Sequence, residues 1–206
     1  MLIVHHLNNS RSQRILWLLE ELSVPYEIKH YQRDAVTNLA PPELLEVHPL
    51  GKSPMIEDDG RLVVESAAIV EYICAKYGPK MIPAPGDDAY ITHQELMHFA
   101  EGSAMTPILL ALYVGRLGDA GAPLQPRIEQ QLQSHFAYMD QMIRPSGHYV
   151  LDDLSAVDIM MSFPAEVAIK QGRGGEFPKL DAWVEAMHSR PAYQKALENG
   201  GSYRFA

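Results

Sequence analysis

The sequence predicts a small α/β unit followed by an all-helical one, and three observations carry that reading. Up to residue 78 the chain alternates strand-like and helix-like apolar patterns. Residues 79–88 are crowded with Pro, Gly and Asp, and everything after them repeats with helical spacing. The expected boundaries are therefore 1–78 for the first domain, 79–88 for a linker and 89–206 for the second.

The first unit reads in the order βαβαββα. "MLIVHHL" is a buried strand, and Ser12–Leu22 a helix with Ile15, Leu18, Leu19 and Leu22 on one face. "VPYEIKHYQR" alternates Tyr26, Ile28 and His30 against Glu27 and Lys29, the period of a strand. "PPELLEVHP" is a short helix closed by a proline. "SPMIEDDG" and "RLVVES" are two short strands around Asp59-Gly60, a strong hairpin signal. "SAAIVEYICAKYG" is a helix stopped by Gly78-Pro79. Beyond the linker, one long helix is expected from Asp87 to Gly118. A second carries Ile128, Leu132, Phe136 and Met139 at near-heptad spacing, and three shorter helices end the chain. There is no internal repeat and no low-complexity tract.

Composition excludes several function classes. The net charge is −9 with no basic block, so a nucleic-acid surface is not expected, and no apolar run is long enough to span a membrane. No secretory leader is expected at the N-terminus, and the single cysteine, Cys74, suits a reducing cytoplasm. His93 and His98 are five apart on a helix, His5 and His6 point to opposite faces of a strand, and no HExxH occurs, so no metal site is expected.

Four short stretches are candidates for chemistry, each with a plainer structural explanation. Ser10-Arg11-Ser12-Gln13 fits a capping box, and it also puts a hydroxyl at a helix N-terminus. Ser66 stands where a strand gives way to a helix, an N-cap position; Glu65 beside it adds a carboxylate suited to an ammonium group. Ser53-Pro54 precedes a strand, where proline is tolerated. Asp158 pairs with Ser155 as a local cap and reads as structural.

The whole chain resembles the glutathione transferase family, with "NNSRSQRILWLLEEL" most like its bacterial and fungal members with a serine-type N-terminal motif. "HPLGKSPMIEDDGRLVVESAAIVEYI" (48–73) is similar to the family's glutathione-binding core. "LSAVDIMMSF" (154–163) is similar to its helix-capping signature, and "GEFPKLDAWVEAMHSRPAYQKAL" (175–197) to its C-terminal helix pair. The resemblance implies a thioredoxin-like N-terminal domain, a helical C-terminal domain and a homodimer.

It also implies roles. Pro54 would follow a cis bond that turns the Ser53 main chain toward the cysteinyl unit of glutathione. Glu65 and Ser66 would hold the γ-glutamyl end, Lys52 a carboxylate, and His48 the same pocket. The sulfur would face the end of the first strand, with Ser10 preferred and Asn9 the alternative donor. Lowering a thiol pKa from about 8.5 to about 6.5 takes roughly 2.7 kcal/mol. A charge-assisted hydrogen bond and a helix N-terminus together supply about that much. Met97, Met105 and Tyr113, with Met161 and Phe163, are candidates for an apolar pocket that receives a small hydrophobic electrophile; core packing is the alternative for all of them. The expected activity is glutathione S-transferase chemistry of the EC 2.5.1.18 type, with glutathione as co-substrate and a detoxifying role. Glutathione-dependent disulfide or peroxide reduction, or binding without catalysis, are the alternatives. Tyrosine- and cysteine-type catalysis are disfavoured: no tyrosine precedes Tyr26, and Cys74 sits mid-helix.

Overall fold

The computed structural model describes all 206 residues, and they divide into two compact units: Met1–Ile82 together with Met187–Ala206, and Pro83–Ala186. No helix is long and apolar enough to cross a membrane.

The first unit carries a four-stranded sheet in the order β2-β1-β3-β4. β1 (Leu2–Leu7) runs parallel to β2 (Tyr26–Tyr31) and antiparallel to β3 (Met55–Asp58), which pairs antiparallel with β4 (Arg61–Val64). The β1–β2 crossover is α1 (Gln13–Glu21); α2 (Glu43–Val47) precedes β3, and α3 (Ser66–Tyr77) follows β4. The hairpin turn has positive φ at both central residues, Asp59 (49°) and Gly60 (78°), the twist-matched turn that an Asp-Gly pair favours. One layer of the core joins Val4 and Ile56 to Ile15, Leu18 and Leu19 of α1 and Ile69 and Ile73 of α3, all fully buried. A smaller cluster of Leu7, Leu44 and Met55 seats α2.

The last helix belongs here too. α9 (Pro191–Gly200) lies along α1 rather than with the helical unit, so residues 187–206 extend the first unit beyond the boundary read from the sequence. Trp17 meets Tyr193 edge-on at 5.4 Å, and Arg190 grips Glu21 with two bonds of 2.6 and 2.9 Å. An amphipathic pattern marks which face of a helix is buried but not which core receives it.

The second unit contains α4 (Ala89–His98), α5 (Met105–Gly115), α6 (Gln125–Met142), α7 (Ala156–Lys170) and α8, whose bounds are Pro178–His188 and whose last residues pass into the first unit. The single long helix read from 87 to 118 is broken by a π-helical turn at Phe99–Ser103, where Gly102 weakens the ladder. α7 is buried all round from Ala156 to Ala168, which makes it the central rod of this unit. Its start is the capping box expected at Ser155 and Asp158.

Candidate functional site

Register brings the candidate stretches of the first unit to one rim of the sheet. His5 pairs with Met55, and Met55 pairs with Val64, so the next positions along are the end of β1, Ser53-Pro54 and Glu65. The N-termini of α1 and α3 open at the same rim. The first-turn N–H groups of α3 have no helical carbonyl to meet, whereas at α1 the Ser12 N–H goes to Ser10 Oγ, the Gln13 N–H to the Ser10 carbonyl and the Ile15 N–H to the Ser12 carbonyl.

The Ser53-Pro54 bond is cis. The Ser53 side chain is spent on structure: its Oγ donates to the His5 carbonyl at 2.9 Å and accepts the Leu7 N–H at 3.3 Å. That double tie pins the loop to β1 and leaves main-chain groups as what Ser53 can offer a ligand.

Glu65 is the strained residue of the rim. Its φ of 69° and ψ of 125° lie outside the regions open to side-chain-bearing residues. Glu65, and not Ser66 as the sequence suggested, occupies the N-cap position of α3; Ser66 is the first helical residue. Its carbonyl starts the helix by accepting the Ile69 N–H at 2.9 Å, while its carboxylate is exposed and makes no capping bond. Ser66 is 4% exposed. An exposed carboxylate beside a hydroxyl and free helix N–H groups offers both signs of partner that an α-amino acid needs. Lys52 is exposed on the same loop, and His48 is half-buried, its Nδ1 taking the Leu50 N–H at 3.3 Å.

The turn before α1 differs from expectation in its capping. No capping box forms: Ser12 is the N-cap with helical torsions, and Ser10 Oγ takes the Ser12 N–H at 3.2 Å. Ser10 and Ser12 hydroxyls lie 2.8 Å apart, and Ser12 Oγ is 2.9 Å from His6 Nδ1. Gln13 is turned inward instead of back toward Ser10, its buried amide without a protein partner. Burial above all, with His30 adding like charge, pushes the His6 imidazole down to about 4, against the pull of the Gly200 carbonyl. Asn9 adopts φ 51° and accepts the Arg204 N–H on Oδ1 at 2.9 Å.

From the sequence, Ser12 and Gln13 have only a capping role, His6 is set aside as a metal ligand, and Arg204 has no role. A histidine inside an apolar strand and a serine inside a helix start were visible signals for His6 and Ser12. No local signal exists for Arg204, which lies 195 residues from its partner.

Cys74 is buried in α3, and burial with Glu71 nearby pushes its thiol up to about 12. A thiol held that high is inert. The folded protein is therefore expected to take up no alkylating reagent at neutral pH and one equivalent in denaturant; labelling of the native chain, followed by mass, would contradict this. No group of three or more His, Cys, Asp or Glu is placed to hold a metal ion.

In the helical unit, Met97 and Met105 are 1% and 3% exposed whereas Tyr113 is 56% exposed, so the three do not share one open wall. Met161 and Phe163 are buried in α7. Apolar residues at helical spacing have gone to the core, their usual fate. The groove present in this unit has a volume of about 820 Å³ and is built on the π-helical turn, with Phe99 stacked on His135 at 5.8 Å and Tyr138 edge-on at 4.9 Å.

Residues 1–75 match the family described as "Glutathione S-transferase, N-terminal domain". Over 214 aligned residues the chain is 36% identical to Glutathione S-transferase 3 of Schizosaccharomyces pombe, covering 96% of this chain and 87% of that one. It is 30% identical to Glutathione S-transferase 1 of Saccharomyces cerevisiae, covering 95% and 93%. Among solved structures, a glutathione S-transferase from Actinobacillus pleuropneumoniae superposes with a TM-score of 0.89 at 29% identity, over 99% of this chain and 94% of that one.

Proposed function

The chain belongs to the glutathione S-transferase family, and from that premise we propose that it binds glutathione on the rim just described and directs its thiolate at a small hydrophobic electrophile. The observation that carries this reading is Glu65: an exposed carboxylate held in a strained conformation directly ahead of a helix N-terminus. Strain of this kind costs about 1–3 kcal/mol and persists where the surroundings enforce it for a purpose.

The parts divide the ligand among them. Glu65 faces the γ-glutamyl ammonium, and Ser66 with the first N–H groups of α3 takes its carboxylate. The Ser53 main chain pairs with the cysteinyl unit in the manner of an added strand. Lys52 offers charge to a second carboxylate, with His48 at the margin of the pocket. The sulfur then lies at the turn before α1, where N–H donors and the positive helix end favour the anion. In the reaction the thiol proton is lost to water, the sulfur lone pair forms a C–S bond, and the leaving group departs with its electron pair.

We read the working form as a cytoplasmic homodimer, in keeping with the single buried cysteine and with apolar residues such as Leu110, Leu112 and Tyr113 left exposed on α5. A panel of an aryl halide, a hydroperoxide and a mixed disulfide, each with glutathione, is expected to give turnover with the halide. Turnover confined to the disulfide or peroxide would replace conjugation with reduction.

Calorimetry tests the site itself. Glu65→Ala and Ser66→Ala are each expected to weaken glutathione by about 10- to 100-fold, the loss of one charge-assisted contact at roughly 1.5–3 kcal/mol. Undiminished affinity in both variants would remove the site.

A further inference from the structure

We propose that the segment after α9 is a positioning element for the thiol site, its Gly200 and Arg204 main-chain groups setting the turn after β1 so that Asn9 Nδ2, and not Ser10 Oγ, presents N–H to the glutathione sulfur. This rests on the glutathione reading above and deepens it.

The assignment follows from counting protons. The Gly200 carbonyl can only accept, so the His6 ring nitrogen bonded to it carries the hydrogen. Burial keeps that ring neutral at pH 7, which leaves Nδ1 bare and obliged to accept. The group 2.9 Å away is Ser12 Oγ, whose single hydrogen goes there or to the Leu7 carbonyl at 3.3 Å. Either way it is spent inward, so across the 2.8 Å gap Ser10 must be the donor and Ser12 the acceptor. Ser10 Oγ also accepts the Ser12 N–H. Its hydrogen is therefore committed to Ser12, and toward the ligand it has only a lone pair, which repels an anion.

Asn9 is the opposite case. The Arg204 main-chain N–H can only donate, so the amide atom it meets is Oδ1. That settles the orientation of the amide and leaves both Nδ2 hydrogens on its other edge, with no protein partner. Both threads end on one segment, residues 200–204. Close approach is what puts it there: a Cβ on Gly200 would lie 2.8 Å from Gln13 Oε1 and 2.9 Å from Leu16 Cδ1. Gly201, at φ 82°, then turns the chain back over the start of α1.

The test measures the pKa of the thiol of bound glutathione, by thiolate absorbance against pH, with the pH profile of kcat/KM beside it. Asn9→Ala is expected to raise that pKa by about one unit or more and to lower conjugation at neutral pH by about 10- to 1,000-fold. Arg204→Pro removes the N–H and is compared with Arg204→Ala, so that loss of the side chain cancels, and with a shortened chain, which loses the same N–H without the ring's constraint on the backbone. It is expected to shift the profile in the same direction, and to add nothing when combined with Asn9→Ala. A chain ending at Ser202 gives the same loss should the proline variant not fold. A larger shift for Ser10→Ala than for Asn9→Ala overturns the assignment of Asn9. An unmoved profile in both Arg204→Pro and the shortened chain overturns the positioning role. Absence of glutathione binding by the wild-type chain marks instead a failure of the underlying reading, since these variants are compared only through bound glutathione.

Discussion

Asp158→Ala is expected to lower the melting temperature by about 6–20 °C, the largest loss of stability we expect from a single side chain. The carboxylate is fully buried at the third position of α7 and collects three donors. Oδ2 accepts the Ser155 N–H at 2.8 Å and its hydroxyl at 2.6 Å, while Oδ1 accepts the Tyr149 N–H at 3.2 Å. Alanine leaves all three donors without a partner and out of reach of water, and each such group costs about 1–3 kcal/mol. The terms overlap, so about 3–5 kcal/mol is a fair total, and about 2–4 °C per kcal/mol converts it for a chain of this length. The consequence reaches beyond the cap. Tyr149, buried against Trp183 with ring centroids 5.3 Å apart, is held through its main chain by the same carboxylate that starts the central helix. Asp158→Asn keeps the shape but not the charge and should recover part of the loss. Thermal melts followed by circular dichroism decide it: a midpoint for Asp158→Ala within about 2 °C of wild type would contradict this account.

That cap was legible in the sequence because it is local: a serine, an acid three residues on and an apolar run are enough to specify it. The order of elements in the first unit was legible for a similar reason. Apolar runs and alternation marked the strands, Asp59-Gly60 marked the hairpin, and the helix between β1 and β2 is the crossover that their parallel pairing needs. Glu65-Ser66 and Ser53-Pro54 were placed by register once those strands were right. What failed to show depends on partners far away in the chain. The pattern of "RPAYQKALEN" has an apolar stripe, but nothing in it says that Tyr193 meets Trp17 rather than the core of the helical unit. The break at Phe99–Ser103 was invisible for another reason, since a π-helical turn keeps apolar residues at almost helical spacing. At the proposed thiol site, the resemblance to serine-type family members favoured Ser10 over Asn9. The direction of the Ser10 hydrogen is set by Ser12, His6 and Gly200, the last of which lies 190 or more residues away along the chain.

Acid should expose that same thread. The His6 imidazole has a folded pKa near 4 against 6.5 when unfolded, so between those values the unfolded chain binds the extra proton. Stability from this group is therefore complete above pH 6.5 and falls as pH drops toward 4. At about 1.4 kcal/mol per unit, the loss reaches about 2 kcal/mol by pH 5 and about 3 kcal/mol at the end of the window. At pH 5 that corresponds to a melting temperature lower by about 4–8 °C. His5 moves the same way, burial outweighing its 2.8 Å bond to Glu57, and deepens the slope. Carboxylates held below their ordinary range, such as Glu57 and Asp58, contribute only under about pH 4.5, so the upper part of the window reports the histidines. His30, edge-on to His6 at 5.8 Å on the neighbouring strand, is the charged group that faces it once protonated. His6→Gln is expected to be less stable at pH 7.5, having lost the ring that bridges Ser12 and Gly200, and to show a flatter dependence from pH 6.5 down to 5. Melts at half-unit steps for both proteins make the comparison. Parallel curves through that window would mean that His6 is charged or solvent-linked in the folded state, and the proton count that commits the Ser10 hydrogen to Ser12 would lose its starting point.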